Sequence, residues 1–394
     1  MSISEPMQRR PVILAFVRYY LPGYKSGGPL RTISNMVEAL GDEFDFRIVT
    51  SDRDATDTQP YSDFVEDMWK KVGKASVLYL SPAQKGVRAI ARILRETPHD
   101  VLYLNSFFDP DFTLKPLLAR RFGFALKTRC VIAPRGEFSE GALRLKSLKK
   151  KTFLLAAGMV GLYRDLEWQA SSEHEEKDIC RIMGSTANHI TVAIDLPDIA
   201  MREVPSFAPR AENEPLRIVF LSRISPMKNL NYALEVLKQV GAPVRFDIYG
   251  PVREVSYWEQ CKRIIKQLPA HINANYCGSI EHEKVPFFLA QYDLFFLPTL
   301  GENYGHVILE ALTAGVPVLI ADTTPWRNLS EVGAGWDLPL ERPDEFADKI
   351  ILMAQLTVTE QIQMRERVAS FAEIRRRDPA SVDANRELFM PVLS

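Results

Sequence analysis

Short apolar runs alternate with amphipathic segments along almost the whole chain. The apolar runs predict buried strands, and the segments with apolar residues three and four positions apart predict helices. A first series of strands is predicted at 12–17, 46–51, 76–80, 101–104, 130–133 and 190–194. A second series is predicted at 216–222, 244–249, 272–277, 293–298 and 316–321. Strands that alternate with helices indicate an α/β fold with parallel sheets.

A polar stretch with several prolines separates the two series. It covers 197–215 and has no clear hydrophobic period, which predicts an interdomain linker. A length of 394 residues suits two domains with separate cores. We therefore expect one doubly wound, Rossmann-like domain over 1–196 and a second over 216–377, which ends in a charged helix at 359–377.

Composition and charge exclude several classes of function. Lys and Arg number 49 against 50 Asp and Glu, for a net charge of −1, so no overall basic field predicts nucleic acid binding. The four cysteines lack zinc-ligand spacing, and reduced thiols suit the cytosol. The first residues lack the apolar core of a signal peptide, and no apolar run approaches the roughly 20 residues that cross a bilayer. A cytoplasmic protein, at most peripheral to a membrane, is expected.

Candidate chemistry begins after the first strand of the second series. Arg223 and Lys228 flank the turn that connects this strand to the next helix. Two cations at such a turn neutralise a diphosphate, the arginine through its planar fork and the lysine as a mobile point charge.

Two carboxylates stand eight residues apart after the strand at 293–298. Glu302 is predicted in a glycine-containing loop and Glu310 within the helix that follows. The first turn of a helix has unpaired backbone donors and a positive dipole end, so this region also suits an anion. Glu310, about two turns further on, is placed to meet hydroxyl groups.

The pair Arg223 and Lys228, followed by the Glu302-x7-Glu310 spacing, resembles the donor site of family 4 retaining glycosyltransferases of the GT-B fold. The resemblance implies two Rossmann-like domains that face each other across a cleft, with the last residues, 378–394, packed back on the first domain. It implies that Arg223 and Lys228 bind the donor diphosphate, Glu302 the transferred sugar and Glu310 the ribose. Further donor contacts are implied for the following residues: Gly27, Gly28, Gly250, Asn303, Tyr304, Gly305 and His306.

The implied reaction moves a sugar from a nucleoside diphosphate sugar to an acceptor hydroxyl, with retention of configuration. A lipid-linked or polysaccharide-precursor glycan is the expected acceptor, and neither a metal nor another cofactor is expected. Two alternatives remain open: a nucleotide-sugar epimerase or hydrolase of GT-B architecture, and a catalytically inactive partner subunit that binds nucleotide.

Polar residues after strands of the first domain are candidates for the acceptor or the sugar. Asn105, Arg135 and Glu137 are in this group, and Arg135 stands where many relatives carry a histidine that contacts the sugar. Two Asp-x-Asp patterns, Asp52 with Asp54 and Asp109 with Asp111, are interpreted as local strand-end and turn carboxylates rather than metal ligands. Segment 144–157 mixes basic and apolar residues, which predicts contact with the cytosolic face of the inner membrane if its basic face is not merely solvated.

Overall fold

The computed structural model describes residues 9–62, 67–139, 141, 143, 147–198, 207–281 and 284–390. The chain divides into two compact units. Unit 1 contains Met1–Leu196 and Pro379–Ser394, and unit 2 contains Pro197–Asp378. Residues 144–146 of the segment predicted to contact the membrane lie outside the described residues, as does part of the segment interpreted as a linker, 199–206. Its described end packs on unit 2, where the buried Arg210 donates to the Ala354 carbonyl at 2.9 Å.

Unit 1 is built on one eight-stranded sheet. Its strands are β1 (Val12–Phe16), β2 (Asp45–Ser51), β3 (Trp69–Val72), β4 (Ala75–Leu80), β5 (Val101–Asn105), β6 (Arg129–Ala133), β7 (Glu167–Ala170) and β8 (Ile190–Val192). The strand order is β3-β4-β2-β1-β5-β6-β7-β8, and every neighbouring pair is parallel except β3 with β4. The described helices are α1 (Gly28–Leu40), α2 (Val87–Glu96), α3 (Lys115–Arg121), α4 (Ser147–Met159) and α5 (Glu173–Met183).

Both faces of this sheet are buried. Along β1, Leu14 and Phe16 join the core on one face, whereas Ile13 and Ala15 join the core on the other. Successive side chains of a strand point to opposite faces, so a strand covered on both sides is apolar at every position. This explains why β1 is a continuous apolar run in the sequence.

The C-terminal residues belong to the core of unit 1. The last described helix, α12 (Pro379–Glu387), is followed by Phe389, which is 1% exposed. The Phe389 ring packs edge-on against Phe44 at 5.7 Å and against Tyr103 at 5.3 Å between ring centroids. Asn385 donates to the Ile194 carbonyl at 2.7 Å.

Unit 2 is built on a six-stranded parallel sheet. Its strands are β9 (Leu216–Leu221), β10 (Val244–Tyr249), β11 (Ile272–Tyr276), β12 (Leu294–Leu297), β13 (Val318–Ala321) and β14 (Gly335–Leu338), in the order β11-β10-β9-β12-β13-β14. The described helices are α6 (Leu230–Leu237), α7 (Val255–Ile265), α8 (Val285–Leu289), α9 (His306–Thr313), α10 (Pro343–Gln355) and α11 (Val358–Arg376). The expected α/β class with two Rossmann-like parallel sheets is confirmed.

Three strands were not predicted from the sequence pattern. β3 is an exposed antiparallel edge strand with two lysines, whereas β7 and β14 are short and contain Glu, Gln or Asp. Such segments are not apolar runs, and their pairing depends on partners distant in sequence. Among the described residues, no helix combines the length and the apolar character needed to cross a bilayer.

Candidate functional site

The candidate site of unit 2 lies where two central strands end. β9 and β12 are parallel neighbours, with Phe295 opposite Val219, and β10 lies on the other side of β9. From β9 the chain continues to β10 and β11 on one side, whereas β12 and the later strands are added on the other side of β9. The strand order therefore reverses between β9 and β12, and such a topological switch point is the usual ligand position in doubly wound sheets. The loop after β9 (222–229) is called the Arg223 loop, and the loop after β12 (298–305) is called the Glu302 loop.

The two loops are bonded to each other through the Met227 carbonyl. This oxygen accepts a hydrogen bond from the Leu300 N–H at 2.8 Å and another from Thr299 Oγ1 at 3.0 Å. Thr299 is fully buried. The side chains that project from both loops are therefore held in a defined relative position.

The predicted cations and the first carboxylate meet here. Lys228 Nζ forms an ion pair and a hydrogen bond with Glu302, and their side chains are only 9% and 13% exposed. Burial lowers the pKa of Lys228, the nearby Arg223 adds to this effect, and the Glu302 carboxylate opposes it.

Arg223 is the second cation of the site, and it is exposed. Desolvation by the surrounding loops lowers the pKa of its guanidinium, Glu302 opposes this shift and Arg253 contributes to it. Among the described ion pairs, Glu302 is bonded to Lys228 and not to Arg223. Two cations beside one carboxylate leave a net positive charge, which suits an anion with several oxygens.

The helix after the Glu302 loop begins as the sequence predicts. Gly305 precedes α9 with a φ of +80°, a left-handed conformation that favours glycine. Glu310 is buried in the second turn of α9.

Tyr304 and His306 are buried beside this turn, with ring centroids 4.9 Å apart, and Asn303 is half-buried. Trp326 Nε1 donates to the Tyr304 carbonyl at 2.6 Å. The predicted residues of the Glu302 loop are thus brought to one place and are held there by packing.

Gly250 follows β10, the neighbour of β9, and is needed for close packing within unit 2. Its φ is +137°, and a Cβ at this position would lie 1.9 Å from the Ser222 carbonyl oxygen. The adjoining segments are paired, since the Ile224 N–H donates to the Pro251 carbonyl at 2.9 Å. The fold therefore requires glycine at 250 so that the Arg223 loop can pack closely against the next loop.

The glycine pair of unit 1 begins α1. Gly27 has a φ of +79° and precedes the helix, and Gly28 is its first residue. A Cβ at either position would meet no atom within 4 Å. Gly28, whose φ is not positive, is therefore not required by contacts within the fold, and the space beside both α-carbons is open.

Asp54 anchors the loop that leads to this glycine pair. Its carboxylate accepts hydrogen bonds from the Tyr24 N–H at 2.7 Å and from the Lys25 N–H at 2.9 Å. Asp54 is buried. The sequence analysis missed this role, although a carboxylate directly after a predicted strand was a signal that could have indicated it.

Arg135 lies inside unit 1, with its side chain 5% exposed. Its guanidinium is ion-paired with the buried Asp195 and donates to Asn105 Oδ1 at 3.0 Å. Asp195 also accepts from Thr32 Oγ1 of α1 at 2.8 Å. Arg135 thus bonds to Asn105 and to Asp195, which in turn holds α1, whereas Asn105 Nδ2 is buried with no hydrogen-bond partner in the described chain. Contact of Arg135 and Asn105 with a sugar or an acceptor stays a prediction.

Glu137 likewise has protein partners. Its carboxylate accepts hydrogen bonds from Ser106 Oγ at 2.6 Å, from the Phe107 N–H at 2.7 Å and from the Phe108 N–H at 2.9 Å. Burial raises the pKa of Glu137, and these bonds oppose that shift. The contacts indicate that Glu137 shapes the turn after β5 and do not support an acceptor contact.

The Asp-x-Asp carboxylates also have partners within the protein. Asp52 is paired with Arg53, and Asp109 accepts from the Asp111 and Phe112 N–H groups and is bonded to Arg18. Within the described part of the chain, no three His, Cys, Asp or Glu side chains are grouped as metal ligands would be.

Comparison with known proteins finds similarity over most of unit 2. Residues 202–373 match the family model "Glycosyl transferases group 1". An uncharacterized 41.2 kDa protein in the cps region of Klebsiella pneumoniae is 25% identical over 237 residues, which cover 58% of this chain and 62% of that protein. A protein of Escherichia coli, provisionally named colanic acid biosynthesis glycosyltransferase WcaL, is 26% identical over 172 residues, which cover 40% of this chain and 41% of that protein. This chain thus spans less than two thirds of each relative's length.

A solved structure extends the similarity to the whole fold. Anabaena Alr3699/HepE, solved in complex with UDP and glucose, superposes with a TM-score of 0.69 at 17% identity, covering 96% of this chain and 98% of that chain. Such low identity establishes a common fold and nothing more. The chain therefore has the GT-B fold, and its residues 202–373 match the family model of glycosyl transferases group 1.

Proposed function

We propose that this protein is a retaining glycosyltransferase that moves a sugar from a nucleoside diphosphate sugar to an acceptor hydroxyl. The observation that carries the proposal is the buried Lys228–Glu302 pair with Arg223 beside it, at the switch point of the unit that matches the glycosyl transferases group 1 model. Arg223 and Lys228 bind the donor diphosphate, Glu302 orients the transferred sugar, and Glu310 binds the ribose. Asn303, Tyr304, Gly305 and His306 line the sugar and the phosphates.

The proposed roles of these residues follow from where charge develops during the transfer reaction. As the bond between the anomeric carbon and the diphosphate breaks, negative charge accumulates on the leaving phosphate, so cations placed there beforehand lower the barrier. Arg223 and Lys228 supply this charge, and Gly27 and Gly28 are proposed as further donor-binding residues. Retention follows if the acceptor hydroxyl attacks on the face that the phosphate leaves and that phosphate takes its proton. Because protein cations neutralise the diphosphate, we propose that no metal or other cofactor takes part.

A uridine nucleotide and a glycan acceptor are the proposed substrates. HepE, which shares the fold, was solved with UDP, and a relative carries a provisional name in colanic acid biosynthesis. We accordingly propose UDP-sugar as the donor and a lipid-linked or polysaccharide-precursor glycan as the acceptor, used at the cytosolic face of the membrane.

Calorimetric titration with UDP, GDP, ADP and TDP tests the donor site. UDP is expected to bind, and Arg223→Ala with Lys228→Ala is expected to weaken binding by at least about a hundredfold, since two charge-assisted contacts are lost. Arg263→Ala with Lys266→Ala removes two exposed cations of unit 2 and is the matched control, with unchanged affinity. Equal affinities of the site variant and the control, with both melting as the parent does, would place the nucleotide elsewhere.

Turnover distinguishes the alternatives. A transferase consumes UDP-sugar only when an acceptor is present, whereas an epimerase or hydrolase consumes it alone. An inactive partner subunit binds UDP and consumes no donor with any acceptor glycan. Activity that EDTA abolishes and Mg²⁺ restores would contradict metal independence.

A further inference from the structure

Four cations lie at the carboxyl ends of adjacent strands of unit 1. In the strand order β4-β2-β1-β5, Lys85 follows β4, Arg53 follows β2, Arg18 follows β1 and Lys115 follows β5. The chain adds β2 and β4 on one side of β1, and it adds β5 on the other side. The strand order of this sheet therefore reverses between β1 and β5, where a doubly wound sheet usually binds its ligand.

Arg18 bridges this switch point. Its Nε donates to Asp109 Oδ2 at 2.6 Å and its Nη2 donates to Asp109 Oδ1 at 2.9 Å, and Asp109 follows β5. The Arg18 side chain is 35% exposed. Within the described chain these bonds use two of the five N–H donors of a guanidinium, so Arg18 retains donors for a further oxygen.

Lys85 differs from the other three cations, because no ion pair of the described chain includes it. The other cations are paired, Arg18 with Asp109, Arg53 with Asp52 and Lys115 with Asp111. Lys85 is half-buried, and its Nζ donates to the neutral Ser51 Oγ at 2.9 Å. An ammonium has three N–H donors, so Lys85 also retains donors for a ligand.

The ring of Phe112 brings Lys85 and Arg18 together. Lys85 Nζ lies 5.5 Å from the ring centroid, Arg18 Cζ lies 5.9 Å from it, and Phe112 is fully buried. Burial lowers the pKa of Lys85, nearby carboxylates oppose this shift, and Arg18 is among the cations that add to it. A ligand seated beside this ring therefore meets both cations.

The carboxylates of this group are already bonded to protein donors. Asp52 is 1% exposed and accepts from Arg53 Nε at 2.7 Å and from Arg53 Nη2 at 2.9 Å. Asp111 Oδ1 accepts from Lys115 Nζ at 2.6 Å. Four cations thus meet three carboxylates, and the surplus positive charge is that of Lys85. A poorly solvated cation with open donors suits an anionic oxygen, whereas a metal ion would need the carboxylates that the arginines and Lys115 occupy.

We propose that Lys85, together with Arg18, binds an anionic group of the acceptor, either a carboxylate or a phosphate. The donor diphosphate has its proposed cations in unit 2, so a separate cationic site in unit 1 fits the other substrate. The proposal rests on the proposed transfer reaction for the identification of the ligand as an acceptor. It specifies that the acceptor is an acidic or phosphorylated glycan.

Calorimetric titration of the full chain, without donor, tests the proposal. One pair of probes is a tetrasaccharide of galacturonic acid and its methyl ester, and the other pair is glucose 6-phosphate and glucose. An acidic probe is expected to bind at least about tenfold more tightly than its neutral counterpart, because charge-assisted hydrogen bonds form. Its affinity is expected to fall as salt is added. Binding of the tetrasaccharide assigns a carboxylate to the site, and binding of glucose 6-phosphate assigns a phosphate.

Substitutions of Lys85 locate the binding. Lys85→Gln is expected to weaken binding of the acidic probe by about tenfold, whereas Lys85→Arg, which keeps the charge, is expected to retain most of the affinity. Lys127→Gln is the matched control, because Lys127 is exposed and precedes β6 at the opposite edge of the same sheet. The melting temperature of each variant establishes that it is folded.

Several outcomes would overturn the proposal. Acidic probes that bind no more tightly than the neutral ones, or equally to Lys85→Gln and Lys127→Gln, would show that Lys85 has a structural role only. Inorganic phosphate that binds as tightly as the sugar probes would show a site for a free ion.

Titration with UDP separates this proposal from the transfer reaction. Lys85→Gln is expected to bind UDP as the parent does, and weaker UDP binding by this variant would assign Lys85 to the donor and overturn the proposal. A parent that binds the acidic probe through Lys85 but does not bind UDP would contradict the proposed transfer reaction and support the anion site. A parent that binds UDP but no acidic probe would contradict the anion site alone.

Discussion

At the scale of single residues, the site depends on charges removed from water. Lys228 and Glu302 are almost fully buried and bonded to each other, and Arg223 lies close enough to influence Lys228. Removal of one member of such a group costs more than its hydrogen bond, because the remaining charges stay desolvated.

Replacement of Glu302 tests how strongly the remaining charges depend on this carboxylate. Glu302→Gln leaves Lys228 and Arg223 without their shared carboxylate, and we expect it to reduce the free energy of unfolding by about 2 kcal/mol, since the group is buried but not dry. UDP should then raise the melting temperature of Glu302→Gln more than that of the parent. Glu331→Gln, at an exposed position of unit 2, should change neither quantity. A Glu302→Gln protein that melts like the parent would contradict the argument.

The pH dependence of donor binding follows from Lys228. Burial lowers its pKa, so this ammonium loses its proton at a lower pH than an exposed lysine does. Affinity for UDP is expected to be constant below that pKa and to fall as pH rises through it. Calorimetry at about pH 7.5 and about pH 9.5 measures the change, and Lys228→Arg, which stays charged over this range, should reduce it. An equal pH dependence in both proteins would assign the titration to another group.

At the scale of elements, the candidate site residues lie on loops at the ends of strands, and buried polar side chains hold those loops in position. The Arg223 and Glu302 loops share the Met227 carbonyl, and Gly250 permits close packing behind them. In unit 1, Asp54 anchors the approach to α1, and Asp195 joins α1 to Arg135.

Asp54 offers a test of loop positioning. Asp54→Asn weakens two hydrogen bonds to backbone N–H groups, so the turn at Gly27 and Gly28 should lose its defined position. We expect kcat/KM for the donor to fall by about tenfold, as loss of a charge-assisted bond implies. Asp57→Asn removes only the exposed partner of the Lys25 side chain and serves as the control. Equal kinetics in the two variants would show that the anchor does not matter for turnover.

At the scale of the whole molecule, the end of the chain completes the core of its beginning. Phe389 packs between Phe44 and Phe46, at the start of β2, and Tyr103 of β5. Unit 1 is therefore incomplete until synthesis reaches the last residues of the described chain.

Truncation of this ring should destabilise unit 1 selectively. Phe389→Ala is expected to reduce the free energy of unfolding of unit 1 by about 3 kcal/mol through the lost contacts and the cavity. Hydrogen exchange should report the loss in β1 and β2, with unit 2 protected as before. Met390→Ala, at a position 46% exposed, should have little effect. Uniform loss of protection in both units would contradict this localisation.

Features that depend on neighbouring residues were predictable from the sequence, whereas contacts between distant segments were not. The apolar runs located most strands, and the loops after β9 and β12 were recognised with Arg223, Lys228, Glu302 and Glu310 in the elements that the structure shows. The edge strand β3 and the polar strand β7 were missed because only their neighbours in the sheet make them strands. The ligand contacts of Arg135, Asn105 and Glu137 stay predictions, and their protein partners were not foreseen because these lie 30 to 60 residues away.

The sequence by itself thus determined the two α/β units, the elements at their strand ends and the residue types available for a sugar nucleotide. Periodicity and turn chemistry report local burial, and local burial is enough for these conclusions. Only the tertiary structure decided which polar groups bond to each other, which carboxylate anchors the glycine loop and which cations gather beside Phe112 of unit 1. These outcomes depend on contacts between segments far apart in the chain, and no local pattern specifies such contacts.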